Sequence, residues 1–223
     1  MLNVLYTIII YPIEQLIRLV LETSYSILGS YGISLIVVSA AVSVILLPLY
    51  HLAEKLQNKD RTLRAEMQPK VDDIKEVYKG YERHLYLKAL YREHGYHPLS
   101  SLKSSLGLLI QLPFLIAAYH FISGYASLQG VSFSVIADLS GPDGLMHVGG
   151  ASVNLLPFLM TAVNLAGAYF YARRLPKREG YQMVMVAGVF LVLLYNAPSG
   201  VLLYWTCNNI FSFFKYLIVY LKR

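Results

Sequence analysis

Five long apolar stretches constrain this chain more than any other feature. They cover residues 32–50, 105–124, 153–172, 181–197 and 200–219, and they contain a single charged residue, Lys215. Each has about 17–20 residues, enough for a helix to cross the hydrocarbon core of a bilayer. Charged residues make up 14% of the chain, against about 25% in a soluble domain. We therefore predict an all-α integral membrane protein in which residues 1–223 form one domain with five transmembrane helices.

Most of the charge lies between residues 51 and 103. This segment holds 11 of the 19 Lys and Arg residues and 8 of the 13 acidic residues. Proline removes a backbone donor and disfavours helix in the residue before it, so Pro69 is expected to divide the segment into two helical arms. Narrow apolar seams predict that the arms pack as a helical hairpin. Seam residues are Leu52, Leu56 and Leu63 before Pro69, and Val71, Ile74, Val77, Tyr81 and Leu85 after it.

The distribution of Lys and Arg predicts the orientation. Residues 173–178 carry four of them and the C-terminal end carries three, whereas residues 125–152 and 196–199 carry none. Because Lys and Arg gather on the cytosolic side of membrane proteins, the 51–103 hairpin, the 173–180 loop and the C-terminus are predicted to be cytosolic. The N-terminus is then outside, and five spans satisfy every loop.

Residues 12–28 have the pattern of an amphipathic helix lying in the membrane interface. The apolar stripe is formed by Ile13, Leu16, Ile17, Val20 and Leu28, while Glu14, Gln15, Arg18 and Glu22 are expected to face elsewhere. The alternative is a transmembrane span over residues 2–21. That span would bury Glu14 and Arg18 in hydrocarbon at a high cost, which favours the interfacial helix. Residues 1–12 lack a basic region and a cleavage site, so no cleavable signal peptide is expected.

No residue pattern indicates catalysis. The chain has no GxSxG, HExxH, Walker or GxGxxG motif, and its spans lack the paired carboxylates of an intramembrane protease or proton-coupled pump. Cys207 is the only cysteine, which rules out an internal disulfide and a thiolate zinc site, and we expect it to pack in the interior. His94 and His97, close to Glu93, are expected at a solvated helix end. We therefore predict no enzyme activity, no cofactor and no metal.

The net charge of +6 does not indicate nucleic-acid binding, because cytosolic loops of membrane proteins are basic in any case. No specific nucleic-acid partner is expected, and a minor ribosome contact stays open.

Uncharged polar residues recur inside the apolar stretches. Such groups are costly against lipid and should face the protein interior. One interpretation is hydrogen bonding between helices, with Ser39 and Ser43 on a close-packing face. The other is a polar groove within the bundle, which the number of these residues favours. They are Ser34, Ser39, Ser43, Gln111, Asn154, Thr161, Asn164, Gln182, Thr206, Asn208, Asn209 and Ser212.

Several short motifs occur in a recognisable order. They are Leu46-Leu47-Pro48-Leu49, Met67-Gln68-Pro69-Lys70, Tyr96-His97-Pro98-Leu99, Leu109-Ile110-Gln111-Leu112-Pro113-Phe114, Asp138-Leu139-Ser140 and the run from Pro198-Ser199-Gly200 to Tyr204-Trp205. In order and spacing, from about residue 10 to 220, the chain resembles the YidC family of membrane-protein insertases, which includes mitochondrial and chloroplast relatives.

The resemblance implies a function. Members of this family insert hydrophobic segments of nascent proteins into the bilayer without a nucleotide, through a polar groove open to the cytosol. Nascent membrane proteins and membrane lipids are the implied partners, with the ribosome and the Sec translocon as further candidates. The implied location is the bacterial inner (plasma) membrane. Our candidate groove residues are Ser39, Ser43, Gln111, Leu112, Leu115, Asn164, Tyr204, Trp205 and Thr206.

One position departs from the family pattern. Relatives typically have an arginine five residues before the proline of the Leu-Pro-Leu element, and here that position is Ser43. We therefore expect an uncharged groove. Two alternative functions stay open: a scaffold or assembly chaperone without insertion activity, and a small-solute channel or transporter. The second is disfavoured because residues 153–219 show no convincing repeat of the first span.

Overall fold

The structure, a computed structural model, describes residue 4 and residues 6–96, 106–172 and 177–221. This part of the chain is largely helical, as predicted. A π-helical turn, Tyr6–Ile10, leads into the first helix. The helices are α1 (Tyr11–Leu28), α2 (Tyr31–Val77), α3 (Gly80–Glu93), α4 (Leu106–Gly124), α5 (Leu156–Ala172), α6 (Lys177–Leu193) and α7 (Ser199–Leu221). Two strands, β1 (Met146–Val148) and β2 (Ala151–Val153), lie between α4 and α5.

Two compact units make up the fold. Residues Met1–Leu46 and Leu112–Arg223 form one, and residues Leu47–Gln111 form the other. The first unit contains most of the apolar helices and is called the bundle below. The second contains the charged segment and is called the hairpin unit.

Helix α2 is a single helix of 47 residues that runs through both Pro48 and Pro69. The predicted break at Pro69 is therefore wrong. Pro69 lies on an exposed face, so the carbonyl that loses its helical partner can be hydrated. The flanking residues Met67 and Val71 are buried, and this packing outweighs the cost of the proline. The chain reverses instead at Tyr78 and Lys79, before Gly80 at φ 58°.

A small apolar core holds the hairpin unit together. Met67 and Val71 of α2 pack with Leu90 of α3. The partly buried residues around them are Leu63, Ile74, Leu87, Tyr91 and Tyr96. Since residues before and after the turn meet in this way, the two arms are antiparallel. The seam is shorter than predicted, because Leu52, Leu56, Val77, Tyr81 and Leu85 are all exposed.

The predicted spans correspond to helices with adjusted ends. Within the described residues, α2 and α4 are both long and apolar enough to cross a membrane. Helices α5 and α6 have 17 residues each, about 25 Å at 1.5 Å per residue. The third span was predicted from residue 153, but Val153 belongs to β2 and pairs with Met146. A two-residue turn at Gly149 and Gly150, both at positive φ, closes this hairpin, which the sequence interpretation missed.

Helix α1 begins within one residue of its predicted start, but its buried face differs. Its buried residues are Glu14, Ile17, Leu21 and Ser24, so the expectation that Glu14 faces away from the core is wrong. His120 Nδ1 lies 2.8 Å from Glu14 Oε1, and the Tyr6 hydroxyl donates to Glu14 Oε2 at 2.9 Å. These partners lower the cost of burying the carboxylate. The cost of burying Glu14 consequently no longer argues against a span over residues 2–21, whereas the cost of placing Arg18 in hydrocarbon still does.

Candidate functional site

The loop after α4 is fixed to the start of α7 by hydrogen bonds. The backbone N–H of Gly200 donates to the Leu139 carbonyl at 2.8 Å, and the N–H of Ser199 donates to the Gly141 carbonyl at 2.7 Å. The Ser199 hydroxyl donates to the same Gly141 carbonyl at 2.7 Å. Thus two of the sequence motifs, Asp138-Leu139-Ser140 and Pro198-Ser199-Gly200, meet at one end of the bundle.

A second set of contacts fixes the start of α5. Asp143 is buried, and its carboxylate accepts hydrogen bonds from the backbone N–H groups of Leu145, Leu155 and Leu156 at 2.7–3.1 Å. Such a carboxylate satisfies N–H groups that the first helical turn leaves unpaired. Asn154 Nδ2 donates to the Tyr195 carbonyl at 2.9 Å. The loop thereby holds the N-terminal ends of α5 and α7 in fixed positions.

Helices α2 and α7 run parallel to each other within the bundle. At one level, a Cβ atom built on Gly200 would lie 3.2 Å from Leu35 Cδ1. At another level, the Ser43 hydroxyl donates to Asn208 Oδ1 at 2.8 Å. Both contacts join residues 165 positions apart. The step of eight residues from Leu35 to Ser43 on α2 therefore matches the step of eight residues from Gly200 to Asn208 on α7, so the two helices run in the same direction.

The Ser43–Asn208 hydrogen bond marks a group of buried polar atoms. Four side-chain atoms close to this level along the two helices are buried and have no hydrogen-bond partner in the part of the chain that the structure describes: Ser39 Oγ, Trp205 Nε1, Thr206 Oγ1 and Asn209 Nδ2. We call these four residues, with Ser43 and Asn208, the polar layer. Buried polar atoms are almost always paired, so such a group needs an explanation.

The predicted site residues are distributed unevenly around this layer. Ser39, Ser43, Trp205 and Thr206 belong to it by definition, and Tyr204 and Leu115 are buried. Leu112 and Asn164 are half-buried. Gln111, also half-buried, belongs to the hairpin unit. A shared cavity lined by all the candidates therefore stays a prediction.

The sequence interpretation left Asn208 and Asn209 out of the site, although it noted both as polar residues inside a span. Their spacing from Trp205 could have found them, since residues three and four apart lie on the same side of a helix. Trp205 also packs its ring against Phe190 of α6, with centroids 5.6 Å apart. The site therefore draws on α2 and α7, with α6 behind the indole.

Neutral hydrogen bonding is the chemistry that the polar layer offers. Residues 32–50 and 199–214 contain no Asp, Glu, Lys or Arg, so neither helix brings a formal charge to this level. Among the residues whose positions are described, no group of three or more His, Cys, Asp or Glu side chains could hold a metal ion. The unpaired atoms offer hydrogen-bond donors and acceptors without formal charge inside an apolar bundle.

Comparison with known proteins identifies the family. The sequence model of the family described as 60Kd inner membrane protein matches residues 23–223. The membrane protein insertase YidC of Treponema denticola is 30% identical over 93% of this chain and 37% of its own length. That of Pelobacter propionicus is 31% identical over 86% of this chain and 35% of its own length. The chain thus spans little more than a third of these relatives.

A solved structure agrees with the sequence matches. A crystal structure described as an active YidC insertase with its first transmembrane domain resolved matches with a TM-score of 0.60 and 25% sequence identity. The match covers 96% of this chain and 46% of that chain. With the family match over most of its length, the chain belongs to the 60Kd inner membrane protein family, which includes the YidC membrane protein insertases.

Proposed function

We propose that this protein inserts hydrophobic segments of nascent membrane proteins into the bilayer, and that the polar layer receives the polar part of each client as it crosses. The observation that carries the proposal is the polar layer itself. Serine, threonine, asparagine and indole groups are buried in the largely apolar parts of α2 and α7. Packing alone does not require several unpaired polar atoms at one level.

The depth of the polar layer supports this role. Ser39 and Ser43 lie 8 and 12 residues after the start of α2 at Tyr31, which corresponds to about 12–18 Å along the axis. The hydrocarbon core is about 30 Å thick, so the layer falls near its middle. A polar segment in transit meets its highest barrier there, because hydrocarbon satisfies none of its backbone groups. Hydrogen-bonding groups at this depth would lower that barrier.

We further propose five transmembrane helices with the N-terminus outside and the C-terminus in the cytosol. The parallel arrangement of α2 and α7 supports this topology, because successive spans alternate in direction and three proposed spans, α4, α5 and α6, separate the two. The absence of Lys and Arg from residues 125–152 supports an outside position for that loop. The hairpin unit, with its many basic residues, is then cytosolic.

No bond is made or broken in the proposed process, so the protein acts without enzymatic chemistry. The favourable free energy comes from burying the client's apolar span in lipid. The cytosolic hairpin unit is the part that would meet the ribosome and the emerging client. The Sec translocon is a further candidate partner. The scaffold alternative would retain client binding without insertion.

The decisive experiment is reconstitution of the purified protein into liposomes with a single-span client. We expect the client to become protected from added protease in proteoliposomes at a rate well above that in empty liposomes. Crosslinking to the client without protection would indicate the scaffold. Flux of small solutes without either result would indicate a channel.

Ser43→Arg tests whether position 43 lies on the client's path. An arginine there would attract a carboxylate by up to ~4 kcal/mol at close range and intermediate dielectric, and by less in a hydrated groove. The serine hydroxyl offers about 0.5–1.5 kcal/mol per hydrogen bond. We expect the variant to favour a client with two extra Asp in its translocated tail over one with two extra Asn. Ser43→Ala is the control and should leave the ratio of the insertion rates of the two clients unchanged.

An unchanged ratio and rate in folded Ser43→Arg protein would mean that residue 43 does not line the path. The Ser43–Asn208 pair would then be an ordinary contact between helices.

A further inference from the structure

The unpaired atoms of the polar layer are richer in donors than in acceptors. Trp205 Nε1 and Asn209 Nδ2 can only donate hydrogen bonds, and the hydroxyls of Ser39 and Thr206 can donate or accept. All four atoms are buried, and the residues that carry them are at most 8% exposed. The Ser43 hydroxyl already occupies Asn208 Oδ1. Among the four unpaired atoms, two can only donate and none can only accept.

The register of α2 and α7 places these atoms at nearly the same depth. With a constant offset of 165 residues, Ser39 of α2 is level with Tyr204 of α7, and Asn209 is level with Val44. All four atoms thus belong to residues within about five positions of each other along the helix axes. At 1.5 Å per residue, this is a slab roughly 8 Å thick. Two or three residues of an extended peptide span the same length, at about 3.3 Å per residue.

We infer that the polar layer binds the main-chain carbonyl groups of the client's translocated segment. This inference rests on the proposed insertion function and names the chemical group that the site recognises. A carbonyl oxygen supplies the acceptor that buried N–H and O–H donors lack. It is also uncharged, so it enters an apolar interior at a lower cost than a carboxylate.

Recognition of main-chain carbonyls also fits the absence of charge. The main-chain carbonyl is the same in every residue of a client. Binding to it is therefore independent of the client's sequence. A site built on an arginine would instead depend on acidic side chains. Water can also fill the layer, since it both donates and accepts, but a layer that binds only water would not distinguish an amide client from an ester client.

Replacement of amides by esters in the client's tail tests the inference. An ester carbonyl is a weaker acceptor than an amide carbonyl, while the side chains stay unchanged. A semisynthetic single-span client with three consecutive backbone esters in its tail is compared with the all-amide client in proteoliposomes and in empty liposomes. Loss of one hydrogen bond should slow protein-dependent insertion by about twofold to tenfold. Insertion into empty liposomes should become faster, because the ester backbone is less polar.

Variants of the layer provide the second half of the test. Thr206→Val keeps the shape of the side chain and removes its hydroxyl, and Asn209→Leu removes the amide donor. Each should slow insertion of the all-amide client and reduce the difference between amide and ester clients. Thr206→Ser should restore both. Ile210→Val, on the more exposed side of the same helix, is the matched control and should behave like the wild type.

Equal protein-dependent rates for amide and ester clients would overturn the inference, as would a preference that follows tail charge and is unaffected by the layer variants. If the wild-type protein fails to insert even the all-amide client, the proposed function itself is wrong. The two failures are therefore distinguishable.

Discussion

Gly32, in the first turns of α2, shows how one residue sets the packing of the loop on the bundle. A Cβ atom at this position would overlap the ring of Phe133. Phe133 in turn exchanges two backbone hydrogen bonds with Ile136, both at 2.9 Å. The aromatic ring therefore closes over a glycine, and the loop can approach α2 only because no side chain intervenes.

We predict that Gly32→Ala destabilises the bundle, because the Phe133 ring must move and its packing is lost. The expected cost is about 1–3 kcal/mol, as for other overpacked sites. Thermal unfolding in a mild detergent would measure it. In a double-mutant cycle with Phe133→Ala, the cost of Gly32→Ala should largely disappear. Purely additive effects of the two substitutions would show that the ring does not cause the constraint.

The sequence predicted some of these residues and not others, for a physical reason. Ser39, Ser43 and Thr206 could be predicted as site residues because a polar side chain inside an apolar span is costly against lipid and is expected to face the protein interior. Gly32 gave no such signal, because its partner lies about a hundred residues away. Glu14 gave a misleading signal: its charge predicted exposure, and only the fold brings His120 and Tyr6 to it.

At the scale of elements, the Asp138 carboxylate holds the part of the loop after α4 that contacts α7. Asp138 Oδ1 accepts hydrogen bonds from the Ser140 backbone N–H and hydroxyl, each at 2.8 Å, and from the Gly130 N–H at 3.1 Å. The Ser140 N–H is the main cause that lowers the pKa of the Asp138 carboxyl below its usual value, and partial burial opposes it. These bonds position Leu139, whose carbonyl receives the Gly200 N–H.

The lowered pKa of Asp138 predicts a pH dependence. A carboxyl whose pKa is lower in the folded state stabilises that state above its unfolded pKa, about 3.9. The stabilisation is lost as the pH falls through the folded pKa. We expect the wild type to be more stable than Asp138→Asn at neutral pH, with a difference that shrinks below about pH 4. Thermal unfolding of both proteins in detergent, from pH 7 to pH 3, would measure it. A difference that persists undiminished at pH 3 would contradict the prediction.

The helical elements themselves could be predicted from apolar length, but their ends could not. Pro69 was expected to end a helix, because the local cost of proline is all that sequence shows. The buried contacts of Met67 and Val71 with Leu90 exceed that cost, and they depend on residues beyond the turn. Likewise, the predicted start of the third span, residue 153, lies in β2 and not in a helix. The Gly149–Gly150 turn lets this residue pair with β1.

At the scale of the whole molecule, the parallel helices α2 and α7 restrict the topology. Two spans can run in the same direction only if an odd number of crossings lies between them. If α4, which is long and apolar enough to span a membrane, supplies one crossing, then α5 and α6 either both cross or both fail to cross. Helix α5 has 17 residues, the lower limit for a span, and α6 has 17 of which the first three are charged. A pair that enters and leaves on one side is the alternative.

Single cysteines in a Cys207→Ser background would separate these topologies. The informative positions are Ser132 in the loop, Ala89 in the hairpin unit and Tyr181 near the start of α6, all of them exposed. We predict that an impermeant thiol reagent outside the cell labels position 132 alone. Positions 89 and 181 should react only after the membrane is permeabilised, because basic segments stay in the cytosol. Labelling of position 181 from outside would mean that α5 and α6 do not cross. Labelling of position 89 from outside would show that the proposed orientation is inverted. The hairpin unit could not then meet clients emerging from the ribosome.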